Sequence, residues 1–120
     1  MTAYLRKSRE YQTVYRKGRR YDGALMTAFV LPNKLSHNRF GITASRKAIG
    51  NAVQRNRARR LLRETFRLKA SLLGDLQINY DWVINAKRKL PELKVGAAFE
   101  EFEKVVLRVA QEEDKTQNVG

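Results

Sequence analysis

Residues 51–74 read NAVQRNRARRLLRETFRLKASLLG, and the periodicity of this stretch decides the fold. An α-helix advances roughly 100° per residue. At that pitch Arg55, Arg59, Arg63, Asn56, Arg67 and Arg60 fall within an arc of roughly 140°. The opposite arc carries Leu68, Leu61, Leu72, Thr65, Ala58 and Leu62, with Leu73 and Phe66 at its border. One face is therefore expected to bury against a sheet while the other presents guanidinium groups. Asn51 is the expected N-cap, because its side-chain oxygen can accept from a free N–H of the first turn. Gly74 is the expected stop, because glycine tolerates the left-handed conformation beyond a helix end.

A charged helix face is ordinarily a solvated one of mixed sign. From Asn51 to Ala70, however, Arg55, Arg57, Arg59, Arg60, Arg63, Arg67 and Lys69 stand against Glu64 alone. Like charges four residues apart repel on a helix. Arg55/Arg59, Arg59/Arg63 and Arg63/Arg67 make consecutive pairs of that kind. A polyanion relieves the repulsion, and arginine in place of lysine suits bidentate phosphate contacts.

Upstream, Phe40, Ile42 and Ala44 alternate with Arg39, Gly41 and Thr43, as in a half-buried strand. Residues 24–31 form an apolar run suited to a more deeply buried strand, and an antiparallel hairpin is expected between the two. Phe29 fits either the core or an open sheet face. Arg19-Arg20-Tyr21 is a short strand candidate before the turn signal Asp22-Gly23. Ser8 is the expected cap of a helix over residues 9–17 that Gly18 ends, with Tyr11, Val14 and Tyr15 on one face. The polar segment before it, residues 1–7, is expected to be mobile. The basic pair Arg46 and Lys47 joins the second strand of the expected hairpin to the arginine helix.

Downstream, residues 75–79 connect to a strand over Tyr80–Ala86, which Lys87-Arg88-Lys89 follows. Residues 95–112 predict a final helix whose stripe of Phe99, Phe102, Val106, Val109 and Ala110 packs on the core. Glu100, Glu101 and Glu103 occupy its other side. The expected order of helix, short strand, two strands, helix, strand, helix is that of an α+β sandwich. The 120 residues predict one domain, 1–120, ordered over about 5–112, with the tail 113–120 disordered.

A formal net charge of +13 points to nucleic acid or an anionic membrane surface as partner. The chain has no cysteine, which excludes disulfides and thiolate metal sites and fits a reducing compartment. No stretch approaches the roughly 20 apolar residues of a membrane span, and the polar, basic N-terminus does not fit a signal peptide. Catalytic chemistry is scarce. The single His37 sits in a polar loop, and Glu10, Asp22, Glu64, Asp75 and Asp81 are scattered along the chain. A two-metal nuclease needs several converging carboxylates. There is neither a Gly-rich phosphate loop nor a Ser/His/Asp arrangement. The residues by themselves describe an RNA-binding module.

The run from Gly50 to Glu64, GNAVQRNRARRLLRE, resembles the RNR signature of the bacterial ribonuclease P protein component family. The likeness extends upstream through FGITASRK at residues 40–47 and downstream through DWVINAKR at residues 81–88. The LRKSREY run at residues 5–11, with Val14, Tyr15 and Gly18, is similar to the family's first helix. In all, the resemblance covers residues 5–110. Two features depart from the family pattern: Asn85 stands where an apolar strand residue is usual, and the first-helix aromatics Tyr11 and Tyr15 are Tyr where Phe is common.

What the resemblance implies is specific. The fold would be a two-layer αβββαβα sandwich, with a small four-stranded sheet and a left-handed crossover around the arginine helix. The enzyme would be a ribonucleoprotein that hydrolyses precursor tRNA at the mature 5′ end. Its RNA subunit would hold the catalytic Mg2+, and this chain would contribute no catalytic residue and no metal ligand. Arg55, Asn56, Arg57, Arg59, Arg60, Arg63 and Arg67 would contact the catalytic RNA. Arg46 and Lys47, with Lys87 and Arg88, would hold RNA near the cleavage site. Tyr11, Tyr15 and Phe29 would border a cleft for the single-stranded 5′ leader, where stacking and backbone charge suit a strand of variable sequence. The partners implied are the catalytic RNA and precursor tRNA in the cytoplasm, with no membrane and no obligate protein partner. Two other readings share the charge and size: a ribosomal or structural RNA-binding protein, and a DNA-binding regulator with the arginine helix in a major groove.

Overall fold

A computed structural model describes residues 2–119. The elements are β1 (Ala3–Tyr4), α1 (Ser8–Lys17), β2 (Arg19–Asp22), β3 (Met26–Pro32), β4 (Arg39–Thr43), α2 (Arg46–Ile49), α3 (Ala52–Lys69), β5 (Tyr80–Ala86) and α4 (Val95–Val119). Two 3-10 turns, Ala70–Asp75 and Leu90–Glu92, complete the described chain. The strands form one sheet in the order β1-β4-β5-β3-β2.

The antiparallel hairpin expected between the strands around Phe29 and Phe40 does not form. β5 lies between them, antiparallel to β3 and parallel to β4. The reason is burial. Every residue of β5 except Asn85 is buried, so this strand takes the centre, where both of its edges are paired. Asn38 helps to carry the connecting loop past the start of β5. Its Oδ1 accepts from the Tyr80 N–H at 2.7 Å and from the Trp82 indole N–H at 3.0 Å.

The N-terminal segment also departs from expectation. Ala3 and Tyr4 pair in parallel with Arg39 and Phe40, adding a fifth strand to the four expected, and Leu5 is buried. Residues 2–7 are thus tied to the sheet edge, while Met1 lies outside the described residues. Ser8 is the first residue of α1 rather than its cap. The free N–H groups of Arg6 and Lys7 are satisfied instead by Glu10 Oε1, at 3.0 and 2.9 Å.

Side chains alternate across the strands and so separate two packing layers. Phe40, Trp82 and Ile84 face α3 and α4, where Phe66 stacks on Phe40 at 4.2 Å and Phe102 meets Trp82 at 5.8 Å. Val83 faces the other way and packs with Leu5 and Val14 beneath α1. Helix α3 begins where the sequence places it, with Asn51 Oδ1 accepting from the Gln54 N–H at 2.9 Å. The residue that needs left-handed freedom is Gly50 (φ 102°), which ends α2. Gly74 is not a left-handed stop: α3 ends at Lys69 and passes directly into the 3-10 turn containing Gly74. At its C-terminal end α4 runs to Val119, beyond the expected end at residue 112. Glu113 anchors this extension, accepting from the Gln77 N–H at 3.0 Å and the Tyr80 hydroxyl at 2.5 Å. Gly120 lies outside the described residues.

Candidate nucleic-acid interface

The first cationic surface is α3. Its buried residues are Ala58, Leu62, Thr65 and Phe66. Leu68, expected within the apolar arc, is 46% exposed. Relative to expectation, the buried arc is rotated by roughly 50° toward Phe66. The cause is tertiary: the face toward Phe66 meets Phe40 and Phe102. That rotation draws Arg55 and Arg59 into half-burial and leaves Asn56, Arg60, Arg63 and Arg67 exposed.

Individual partners divide this surface further. Arg57 is exposed, yet its Nε donates to the Pro91 carbonyl and ties α3 to the turn before α4. Arg67 donates to Glu64 at 2.5 Å, and the exposed pair holds the Glu64 carboxyl below its usual range. Such a surface pair contributes little stability. Arg59 donates to Asn56 Oδ1 at 3.3 Å. Arg55 Nε and Gln54 Oε1 are buried without a hydrogen-bond partner at the N-terminal end of the helix. Arg60 and Arg63 make no ion pair with another described residue and are exposed.

A second surface lies on the opposite face of the sheet, beneath and beside α1. Tyr11, Tyr15 and Phe29 are half-buried there around Val83 and Val14. Phe29 therefore belongs to the open face rather than to the main core. Tyr15 meets Phe29 edge to face at 4.9 Å. Tyr11 lies flat on Gly41, where a Cβ would stand 2.6 Å from the ring, so only glycine lets the ring approach this strand. Burial pushes the Tyr11 hydroxyl pKa up.

The Tyr15 hydroxyl donates to Asn85 Oδ1 at 2.7 Å and lies 3.0 Å from Thr43 Oγ1. A phenol has one proton, so Thr43 is the donor in the second bond. The departures at Tyr15 and Asn85 thus satisfy each other: the added hydroxyl and the added amide form one bond. Sequence reading gave Asn85 and Thr43 no role, because the residues join only through the register of β4 and β5. It also missed Arg20, whose guanidinium sits over the Phe29 ring at 5.8 Å. The β2–β3 pairing of Arg20 with Phe29 supplies the contact.

Because β4 and β5 are parallel, both leave the sheet at the same end. Arg46 and Lys47 follow β4 in α2 and are exposed; Lys87 and Arg88 follow β5. A cleft of about 530 Å³ opens there, lined by Thr27, Ala48, Asn85, Lys87, Arg88 and Lys89 among others. Lys87 differs from its neighbours. It pairs with Asp22 at 2.9 Å and donates to the Gly23 carbonyl, so it braces the β2–β3 turn. Thr27, followed by Lys87, holds the Asp22 carboxyl below its ordinary range. Arg88 and Lys89 are exposed at the cleft margin.

One half-buried network positions α1 over this face. Asp81 takes two bonds from Arg39, at 2.8 and 2.7 Å, and Arg39 reaches Glu10 at 2.9 Å. Bonds from the Lys7 and Arg6 N–H groups, with help from Arg39, hold the Glu10 carboxyl below its usual range. Asp81 was expected only as one scattered carboxylate; here it anchors a helix. Among the described residues, no group of three or more His, Asp or Glu side chains is placed to hold a metal ion. Nor is any described helix long and apolar enough to cross a membrane.

Comparison with known proteins agrees with this geometry. The family model described as Ribonuclease P matches residues 1–110. The ribonuclease P protein component of Fusobacterium nucleatum is 40% identical over 105 residues, spanning 88% of this chain and 91% of that protein. The component from Caldanaerobacter subterraneus is 36% identical over 111 residues, covering 92% of each. The Staphylococcus aureus RNase P protein superposes with a TM-score of 0.73 at 26% identity, over 92% of this chain and 96% of that one. The Thermotoga maritima protein shares the fold at 24% identity, with a TM-score of 0.75 over 88% of this chain and 96% of that one. With an arginine-faced helix, a parallel β4–β5 pair ending in cations and relatives matched along nearly their whole length, the chain belongs to the ribonuclease P protein family.

Proposed function

We propose that this chain is the RNA-binding protein subunit of a bacterial ribonuclease P. It binds the catalytic RNA through α3 and the 5′ leader of precursor tRNA through the α1 cleft. The observation that carries this reading is that Arg46, Lys47 and Arg88 follow the same ends of the parallel strands β4 and β5, while Tyr15 and Phe29 meet edge to face beneath α1. Aromatic edges beside phosphate-binding cations suit a single strand, because every base has a face to stack and every linkage has a charge. The α3 surface is different in kind. Its exposed arginines form a row whose one acidic partner among the described residues is Glu64, which suits folded RNA held by its phosphates.

Hydrolysis of the phosphodiester belongs in this reading to the RNA subunit and its Mg2+. The protein raises substrate affinity and orients the leader. Cytoplasmic assembly with RNA alone, with no obligate protein partner, follows from the same reading.

The test is reconstituted cleavage of a precursor tRNA by protein alone, by the cognate RNA subunit alone and by both together. The protein alone is expected to cut nothing. Added to the RNA, it should promote cleavage at the mature 5′ end and tighten binding of leader-bearing substrate. Cleavage by protein alone, or no effect of protein on the RNA's activity, would overturn the reading.

A further inference from the structure

We propose that Tyr4 belongs to the RNA-binding surface of α3, where its ring stacks on an unpaired base of the catalytic RNA. The inference rests on the RNA-subunit reading of that helix and adds one contact that does not depend on charge.

Strand register places the ring. Tyr4 pairs in parallel with Phe40, and partners on neighbouring strands share a sheet face. Phe40 stacks on Phe66 of α3, so Tyr4 stands one strand further out on the same side. Its ring is tilted against Phe66, with centroids 6.5 Å apart. Phe66 is fully buried, whereas Tyr4 is 37% exposed. β1 is the edge of the sheet, and no described strand lies beyond it.

The neighbouring charge indicates what the open side of the ring meets. Burial raises the Tyr4 hydroxyl pKa, and the Arg63 cation is near enough to oppose that rise. Arg63 is exposed, and Arg59 and Arg67 lie about one turn to either side of it on the helix. Covering Phe66 needs only apolar volume, which a leucine would supply. An exposed ring beside a row of guanidinium groups offers more: a face for a base and a cation for its phosphate. That combination holds unpaired nucleotides. Duplex RNA keeps its base faces within its own stack, so the ring finds a partner only where a base is unpaired.

The experiment measures protein affinity for the RNA subunit across a salt series. Tyr4→Leu and Tyr4→Met keep an apolar cover over Phe66 but remove the ring. Each should bind about fivefold to 150-fold more weakly, the range of one stacked base, with the log–log slope against salt unchanged. Tyr4→Phe keeps the ring and should restore the wild-type affinity. Arg63→Met should instead lower the slope by the roughly 0.7–0.9 counterions of one phosphate contact. Ultraviolet cross-linking of the wild-type complex needs no variant and should join Tyr4 to a nucleotide outside any duplex. Ringless variants that bind as the wild type does, or that lower the slope as Arg63→Met does, would overturn this inference and leave the α3 reading intact. So would an equal loss in Tyr4→Phe and Tyr4→Leu, or cross-links from α3 that never include Tyr4. A wild-type slope near zero would overturn both.

Discussion

Helix α3 and the α1 cleft lie on opposite faces of one sheet and carry their cations differently. On α3, Arg60 and Arg63 are exposed and make no ion pair with another described residue. On the α1 side, Lys87 is tied to Asp22, Tyr15 to Asn85 and Thr43, and, at the far end of the strands, Arg39 to Asp81 and Glu10. On the proposed reading the first surface would work by charge density and tolerate small errors of position. The second would work by placing rings at fixed points, so on the same reading its function would depend on the groups that hold those rings. Removing one α3 arginine would then subtract one phosphate contact, whereas removing one brace would move several side chains together.

The sharpest way to break that comparison is charge reversal on α3. Arg59→Glu, Arg60→Glu and Arg63→Glu combined should weaken assembly with the RNA subunit by at least about a hundredfold, since each lost phosphate contact also forfeits roughly 0.7–0.9 released counterions. The measurement is protein–RNA affinity across a salt series. A log–log slope near zero for the wild-type protein would show that α3 is not the binding surface.

Next in size is the brace beneath the cleft. Arg39→Met leaves buried Asp81 without its guanidinium partner and should cost about 3 kcal/mol of stability. Chemical denaturation reads this directly, and an unchanged midpoint would remove the network from the account. Acid should act on the same place. The Glu10 carboxyl is held below its ordinary value in the folded state, so its contribution is full above the unfolded pKa of about 4.3 and is lost as pH falls through the folded one. Stability of the wild type should therefore drop below about pH 4 more steeply than that of Glu10→Gln.

The alkaline side has the opposite sign. Burial, followed by the bond to Glu113, pushes the Tyr80 hydroxyl well above its ordinary value. The unfolded chain ionises first, so stability is full below about pH 10 and falls as pH rises beyond it. Tyr80→Phe should blunt that fall in a pH series of thermal unfolding, and an identical alkaline profile would dissociate Tyr80 from it.

The smallest effect belongs to Leu68. Exposed on α3, it should tolerate Leu68→Ser within about 0.5 kcal/mol. Leu62→Ala, six residues earlier on the buried side, should cost about 2–5 kcal/mol. Similar losses at the two sites would return the buried arc to the position that periodicity alone suggests.

That contrast also marks what the sequence could convey. Periodicity locates α3, its Asn51 cap and the sign of its charge, because these are local properties of one helix. It misplaces Leu68 because the direction from which Phe40 and Phe102 approach is set by the sheet and α4. The strand over residues 80–86 is legible to the residue, yet its central position is not, since pairing order depends on how completely each strand is buried. In the cleft, Tyr11, Tyr15 and Phe29 stand out as aromatics at suggestive positions. The groups that orient them, Asn85, Thr43, Arg39 and Asp81, lie 28 or more residues from their partners and join only in the folded sheet. Lys87 looks from sequence like one more free cation, because only the folded β2–β3 turn brings Asp22 against it.

The central claim is that the two surfaces take different parts of the substrate complex. The direct measurement is holoenzyme affinity for precursor tRNA and for leaderless tRNA, made with two variants at saturating RNA subunit. Tyr15→Leu with Phe29→Leu should lose roughly 1–3 kcal/mol per stacked base on the leader-bearing substrate alone, leaving leaderless tRNA bound as before. Arg59→Glu with Arg63→Glu should need more protein to saturate the RNA and then distinguish the two substrates as the wild type does. Equal losses on both substrates for the aromatic variant, or a selective leader defect in the arginine variant, would contradict the division.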